Sequence, residues 1–435
     1  MDTLSEHGAR IPDILLPTHI DLKTWAVIAC DQYTQDEAYW KETARVADGK
    51  PSTLNLVYPE VYLGKPDKDE RIKTIQRTMR EYLAGGIFSE AKQAVYIERA
   101  TEYGRTRRGL VLAIDLERYE WKPGAKALIR ATEATVPERI PPRMEIRRGA
   151  ALELPHIMLL ANDPSDALVG GAGAAARSRK PLYDGELMHR SGRITGWSVN
   201  GEEAEKSIGD ALKGLAESGT DKNGDTFLFA VGDGNHSLAT AKAVWDEHKK
   251  SLSAAERETS RVRFALVEIV NIYDGGLTFE PIHRVIFNQN ADQLMSFVRQ
   301  KLGGTLRPFN SEQELSAFVS ETDANGARYG FVCGSGLFAL ETGITDLAIA
   351  ALQPALDDYL DAHSADKGKD TDYIHGADDV VRLGKKPGAL AVLLPPIAKD
   401  SFFQTINERG PLPRKSFSMG EASEKRFYVE ARRLF

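Results

Sequence analysis

Only two cysteines, Cys30 and Cys333, occur in 435 residues. They lie far apart, each in an apolar stretch and neither in a CxxC spacing. That excludes a disulfide framework and a cysteine-based zinc or redox site, and both are expected as small core residues in a reduced cytoplasm. No apolar run approaches the roughly 20 residues that a bilayer span requires. Residues 1–10 are polar and hold no apolar signal core. Positive charge is also short: 56 Lys and Arg stand against 63 Asp and Glu, a formal net charge of −7. The balance leaves no basic footprint for nucleic acid, and no helix-turn-helix with a basic recognition helix stands out. Repeats, heptads and long low-complexity tracts are missing as well. What is there, 42% hydrophobic and 27% charged residues, is the composition of a soluble globular chain with room for two cores or one large one.

The most informative stretch runs from Phe227 to Lys242. Phe227 to Val231 reads as a buried strand that stops at Gly232-Asp233-Gly234-Asn235. His236 to His248 then reads as a helix, with Leu238, Ala241 and Trp245 available for one face. A strand, a glycine turn and a helix aim free backbone N–H groups at an anion. Asp233 and His236 bring a carboxylate and an imidazole to the same turn. The structural alternative is a tight connection capped by Asn235, with His236 an ordinary first-turn residue. The turn is neither a Walker P-loop nor a Rossmann fingerprint. Gly171 to Ala176 matches GxGxxA, but it follows Asp-Pro-Ser-Asp instead of a strand and reads as a small-residue helix or loop.

Helix and strand signals alternate along the chain. Trp25–Cys30, Ala94–Ala100, Arg108–Asp115, Ala127–Arg130, His156–Ala161 and Arg263–Tyr273 read as strands. Asp36–Val46, Arg71–Ala84 and Glu202–Ser218 read as helices, and Pro141-Pro142 is expected to break the segment that Arg130 opens. In the last third, Ala291–Leu302, Ala348–Ala362 and Ser401–Glu408 read as helices, Tyr329–Leu340 as a hairpin and Ala389–Leu394 as a strand. Loops are expected at 122–125, 177–184 and 367–372. The pattern predicts an α/β fold with a mixed, α+β-like sheet. The division is placed near 290: a main α/β domain over 1–290 that holds the glycine turn, and a C-terminal α/β subdomain over 291–435 that returns to the site.

Asp233 can act as a general base toward a hydroxyl or ligate Mg²⁺ through an oxygen; its structural alternative is an Asx-turn acceptor. Of nine histidines, His156, His189, His236, His283 and His375 look placed, and His236 and His283 stand out. No HxH, HExxH or HxxxH spacing appears, so no histidine metal site is expected. Between Arg130 and Arg148 five arginines face three glutamates. That local cationic patch suits a small anionic ligand, with Arg130, Arg139, Arg143 and, further on, Arg284 as bidentate clamps. Leu412-Pro-Arg-Lys-Ser416 adds Arg414 and Lys415.

These residues resemble domain-of-unknown-function family 1015, which carries a ParB-like (Spo-zero-J/ParB-like) label. The resemblance spans nearly the whole chain. It is carried by Ile11–Pro17, Trp25–Thr34, Ser52–Leu54, Pro59–Tyr62, Ile129–Thr135, Arg139–Arg143, Glu153–His156, the Asp233 turn, Glu280–Arg284, Tyr373–Gly376 and Leu412–Ser416. It implies a ParB/sulfiredoxin-like core, a group that binds nucleotide phosphates at a glycine-containing turn before a helix and that includes a free-serine kinase. It also implies a link to serine metabolism. Ser237 stands where the group's pattern has arginine, which shifts phosphate contacts to other cations. The expectation is an enzyme of phosphoryl transfer or phosphate-ester chemistry, a small-molecule kinase or phosphatase, acting on a phosphorylated small molecule or nucleotide, with serine or phosphoserine as substrate and Mg²⁺ and a nucleoside phosphate as cofactors. Asp233 and His236 are its catalytic pair. Gly232, Gly234, Asn235, Ser237, Arg130, Glu133, Arg139, Arg143, His283, Arg284, Arg414 and Lys415 are its binding residues. The rival reading is a nucleotide-binding regulator without turnover.

Overall fold

The computed structural model describes residues 3–321 and 325–435. The chain divides into two compact units. Unit 1 is Met1–Leu277 together with Glu421–Phe435, and unit 2 is Thr278–Gly420. The division thus falls between Leu277 and Thr278, ahead of the expected 290, and the last segment rejoins unit 1. Both units are mixed helix and strand, as the alternation predicts.

Unit 1 is built on a ten-stranded sheet. Its order is Tyr183–Glu186, Arg193–Val199, Ala94–Ala100, Thr106–Asp115, Phe264–Asn271, Met158–Ala161, Phe229–Asp233, Ile129–Ala131 and Tyr119–Glu120, with Ala9–Arg10 beside Thr106–Asp115. The sheet is mixed. Phe264–Asn271 runs parallel to Met158–Ala161, and Phe229–Asp233 runs parallel to Ile129–Ala131 but antiparallel to Met158–Ala161. The central strands are continuous apolar runs buried on both faces, for example Phe229, Ala230 and Val231, as a covered sheet requires.

Unit 2 has a six-stranded, wholly antiparallel sheet: Thr305–Phe309, Gly336–Glu341, Arg328–Cys333, Leu390–Leu393, His283–Ile286 and Thr371–Ile374. The two-residue period divides its side chains between two cores. Ile286, Phe331, Leu390 and Val392 pack with the helices Ala291–Leu302 and Ala348–His363. Val285, Val332, Ala391 and Leu393 pack with Glu312–Ser320 and Ala377–Gly384.

Four local expectations are corrected. Trp25–Cys30 is not a strand: Leu22–Trp25 is a helical turn capped by Asp21, and the apolar run after it is extended with a single bridge, Ile28 to Phe427. Pro141 and Pro142 do not break the chain; they stand in the first turn of a helix, Ile140–Arg147, where a missing N–H removes no helical bond. The 367–372 loop is a helical turn, Lys367–Asp370, leading into the strand Thr371–Ile374. The 177–184 loop is cut short because the edge strand begins at Tyr183. The GxGxxA match is the small-residue helix Val169–Ala176, with Val169, Ala172 and Ala176 buried. Among the described residues, no helix is long and apolar enough to cross a membrane.

Candidate functional site

The strand Phe229–Asp233 shifts register against Met158–Ala161 between Val231 and Asp233, so Gly232 occupies a bulge. Such a bulge re-aims the next side chain, here Asp233. Gly234 follows in the left-handed conformation (φ 82°, ψ 27°) and is the N-cap of the helix Asn235–His248. A Cβ there would sit 3.0 Å from Ile157 Cγ1, so both the backbone and the space call for glycine.

The helix has no side-chain cap and no acidic residue in its first turn. The expected cap, Asn235, is instead the first helical residue. Its Oδ1 accepts from Thr132 N–H at 3.3 Å, and its Nδ2 lies near Thr132 Oγ1. Thr132 Oγ1 in turn donates to Val231 O. These bonds fix the strand end to the segment after Ile129–Ala131. Gly232, Asp233, Asn235, His236 and Ser237 are all half-exposed, so the turn is not sealed in a core.

Ser237 Oγ lies 2.7 Å from His156 Nε2, and His156 Nδ1 lies 2.7 Å from the Tyr428 hydroxyl. That hydroxyl also accepts from Cys30 N–H at 3.1 Å. Tyr428 is fully buried, and burial holds its phenol far above the usual range, so it keeps its proton. The proton has His156 Nδ1 as its acceptor. With Nδ1 accepting, the ring N–H of His156 lies on Nε2 and donates to Ser237 Oγ. The serine O–H is left to donate outward. With Nε2 already protonated, His156 is not a base for Ser237, and the arrangement is not a nucleophilic triad.

Two carboxylates flank this relay. Asp233 accepts from Gly234 N–H at 3.1 Å and stands 3.6 Å from Lys425 Nζ. Asp31 Oδ2 is 3.8 Å from His156 Nε2. Nearby, Glu60 is bound by Arg143 at 2.5 Å. Burial raises the Glu60 carboxyl, with Arg143 opposing and Asp31 adding to the rise.

The remaining expected residues divide. His236 Nε2 accepts from Val136 N–H at 3.2 Å, which ties that nitrogen to the 132–136 segment. Glu133 lies in the same segment, half-buried. Arg139 is exposed at the start of the helix Ile140–Arg147, which packs along Asn235–His248. Arg143 stands among Asp31, Glu60 and Cys30. Arg130 is placed otherwise. Its guanidinium donates to Ala127 O and Thr226 O and lies over the Phe227 ring, at the far end of the strand from the turn. Six residues of strand, about 20 Å, separate Phe227 from Asp233, so Arg130 holds the strand's start and does not clamp at its end. His283, Arg284, Arg414 and Lys415 belong to unit 2. His283 Nδ1 accepts from Leu394 N–H. Arg284 is fully buried, donates to Gln353 and Ile282 and lies over Tyr373. Lys415 also lies over Tyr373, and Arg414 is exposed.

Lys425, Tyr428, Asp31 and His156 complete the site; none was among the expected catalytic or binding residues, although His156 was among the histidines that look placed. Asp31 and His156 lie in stretches that carry the family resemblance, which was the available signal. Lys425 and Tyr428 carry no local motif. Ion pairs bring them in: buried Arg426 bonds Glu268 and Glu430, buried Arg107 bonds Glu268, and half-exposed Arg105 bonds Glu424.

Among the described residues no group of three or more His, Cys, Asp or Glu converges as a metal cage. Asp233, the expected Mg²⁺ ligand, faces an ammonium instead. The described residues thus do not build a resident magnesium site, and no step below runs through one.

Residues 15–359 match the family described as "Protein of unknown function (DUF1015)". No curated protein matches the chain. Among solved structures, a free serine kinase in complex with AMP is similar at 11% identity, covering 73% of this chain and 90% of that one with a TM-score of 0.36. A conserved hypothetical protein from Pyrococcus furiosus is similar at 10% identity, covering 75% and 97% with a TM-score of 0.34. C-terminally truncated SbnI from Staphylococcus aureus is similar at 7% identity, covering 71% and 83% with a TM-score of 0.35. At such scores these likenesses assign no chemistry.

Proposed function

The chain belongs to the DUF1015 family, and from its site geometry we propose that it is a cytoplasmic enzyme that binds the phosphoryl group of a small phosphorylated molecule or nucleotide at the N-terminus of Asn235–His248. One observation carries this reading. An uncapped, acid-free helix start lies between an outward-donating serine hydroxyl and a lysine ammonium. Helix N–H groups, a hydroxyl donor and an ammonium are the recurring partners of a phosphoryl group. This is also the ligand class that the ParB/sulfiredoxin resemblance implies.

For transfer, an acceptor hydroxyl would bond phosphorus as the leaving oxygen departs with the bonding pair. The hydroxyl proton passes to Asp233, and Lys425 and the helix N–H groups take up the developing negative charge. Serine is the acceptor we favour. His236 is assigned to holding the 132–136 segment, with its acid–base role secondary. One observation favours the non-catalytic regulator: Asp233 is already engaged by Lys425 and Gly234 N–H, as a purely structural carboxylate would be.

The test is a thermal-shift screen of the full chain against phosphoserine, AMP, ADP and ATP, followed by turnover assays on the hits. A ligand at about 100 times its dissociation constant stabilises by about 2.7 kcal/mol. Binding without turnover supports the regulator. Absence of any shift from all four ligands overturns the phosphate site.

A further inference from the structure

Tyr33, Tyr39 and His189 form one aromatic stack in unit 1. The Tyr33 and Tyr39 rings are stacked with centroids 3.9 Å apart, and the His189 ring lies 4.7 Å from Tyr39. Behind them the Tyr39 ring meets buried Trp40 edge-on. All three members of the stack remain half-exposed.

The backbone holding this stack is strained. Tyr33 (φ 51°), His189 (φ 56°) and Arg190 (φ 58°) are non-glycine residues in the left-handed region, each at about 1 kcal/mol or more. Two of these residues, Tyr33 and His189, are themselves members of the stack.

The polar edge of the stack is also defined. Thr43 Oγ1 donates to Tyr39 O at 2.9 Å, so toward His189 Nε2, 2.8 Å away, it can only accept. His189 therefore carries its proton on Nε2, and burial keeps the ring neutral by lowering its proton affinity. Its Nδ1 is then an acceptor, on a ring that is half-exposed.

Position links the stack to the phosphate site. Tyr33 is two residues beyond Asp31, a span of at most about 7 Å. The Asp31 carboxylate is 3.8 Å from His156, which bonds Ser237 at the helix start. A short chain of contacts thus joins the platform to the turn.

We propose that the Tyr33–Tyr39–His189 stack seats the base of a nucleotide ligand, an amino-bearing purine whose exocyclic N–H donates to His189 Nδ1. The aromatic faces supply stacking, which tolerates any base. The histidine edge supplies the choice, because an unmet donor or acceptor there is penalised on binding. The proposal rests on the phosphate reading above and names the ligand of that site.

The test measures binding of AMP, ribose 5-phosphate, adenosine and inosine to the full chain by calorimetry. AMP is expected to bind about tenfold or more tighter than ribose 5-phosphate, and adenosine tighter than inosine. His189→Asn, which keeps a residue tolerant of the left-handed backbone, and Tyr39→Leu should each bring AMP down to the level of ribose 5-phosphate. Unchanged tryptophan emission would show that these variants are folded. Equal binding of AMP and ribose 5-phosphate by the native chain overturns the platform and leaves the phosphate site standing. Adenosine binding with no response to ribose 5-phosphate upholds the platform and overturns the phosphate site. Inosine binding as tightly as adenosine overturns the His189 contact.

Discussion

Each unit contains a helix that starts from a positive-φ glycine, and the two starts differ in the charges of their first turns. In unit 1, Gly234 (φ 82°) opens Asn235–His248; in unit 2, Gly376 (φ 81°) opens Ala377–Gly384. Neither helix has a side-chain cap. The first turn in unit 2 carries Asp378 and Asp379, which complement the positive end of their own helix. The first turn in unit 1 carries Asn235, His236 and Ser237 and leaves that end to Lys425, His156 and whatever anion arrives. A glycine before a helix is therefore not in itself a binding signal. Acid missing from the turn after it is the informative feature.

The contrast depends on how Lys425 and Tyr428 are held, and breaking that hold has the largest expected effect. Arg426 and Glu268 are essentially unexposed, at 1% and 0%. Arg426→Met would leave Glu268 and Glu430 short of a buried partner, at about 3–5 kcal/mol. All five tryptophans (Trp25, Trp40, Trp121, Trp197, Trp245) lie in unit 1, so tryptophan emission in a urea titration reads this loss in the unit that contains it. A loss below about 1 kcal/mol would show that the terminal segment is held by packing alone.

The histidines sharpen the comparison on the side of unit 2. His156 in unit 1 has a polar partner at each ring nitrogen. His283 in unit 2 is buried, and burial, with Arg284 and His375 adding, lowers its pKa to about 4. The unfolded chain takes up that proton near pH 6.5, whereas the folded chain does so only near 4. Stability is therefore fully present above pH 6.5 and falls as pH drops toward 4, by about 3 kcal/mol in all. His283→Gln should flatten this window in a circular-dichroism melt series. An unaltered pH profile in the variant would place the titration elsewhere.

A smaller difference separates the two glycines. Gly376→Ala meets no atom within 4 Å of its added Cβ, but at φ 81° and ψ 136° its backbone lies outside the left-handed well, so it should lose about 1–3 kcal/mol. Gly234→Ala stays in the left-handed well (φ 82°, ψ 27°), at about 1 kcal/mol, and adds a 3.0 Å approach to Ile157, at about 1 kcal/mol beyond that strain. A loss of only about 1 kcal/mol in Gly234→Ala would mean that Ile157 yields freely.

How much of this was legible in the sequence follows from where the determinants lie. The helices Ala291–Leu302 and Glu202–Ser218 were readable to the residue, because their apolar spacing and flanking residues are local. The turn at Gly232–Ser237 was readable because glycines mark it. Trp25–Cys30 was misread because its burial comes from Arg426–Tyr428, some four hundred residues away in sequence; apolar character predicts burial but not a partner. Arg130 was misplaced for a related reason. Sequence puts it in the arginine segment, but its strand register turns the guanidinium back toward Thr226. Lys425 and Tyr428 had no signal at all, since what makes them site residues is a network of buried pairs that no spacing encodes.

The smallest expected stability change is the most discriminating for function. Ser237→Asp gives the first turn of unit 1 the acid that the first turn of unit 2 already has. A carboxylate there complements the helix end and lies beside His156, so the fold should hold or gain about 0.3–1 kcal/mol. Phosphate binding should nevertheless disappear, because the new charge occupies the place of the anion and repels it. The mirror change, Asp378→Asn with Asp379→Asn, removes the acid from unit 2 and should lose a few tenths of a kcal/mol without creating a phosphate response, since a helix end without converging side-chain donors holds anions weakly. Both follow from one pair of measurements, the melting temperature with and without inorganic phosphate. A persistent phosphate shift in Ser237→Asp would remove the anion from this helix start. A new shift in the unit 2 variant would show that first-turn charge alone, without Lys425, His156 and Ser237, is what distinguishes the two helices.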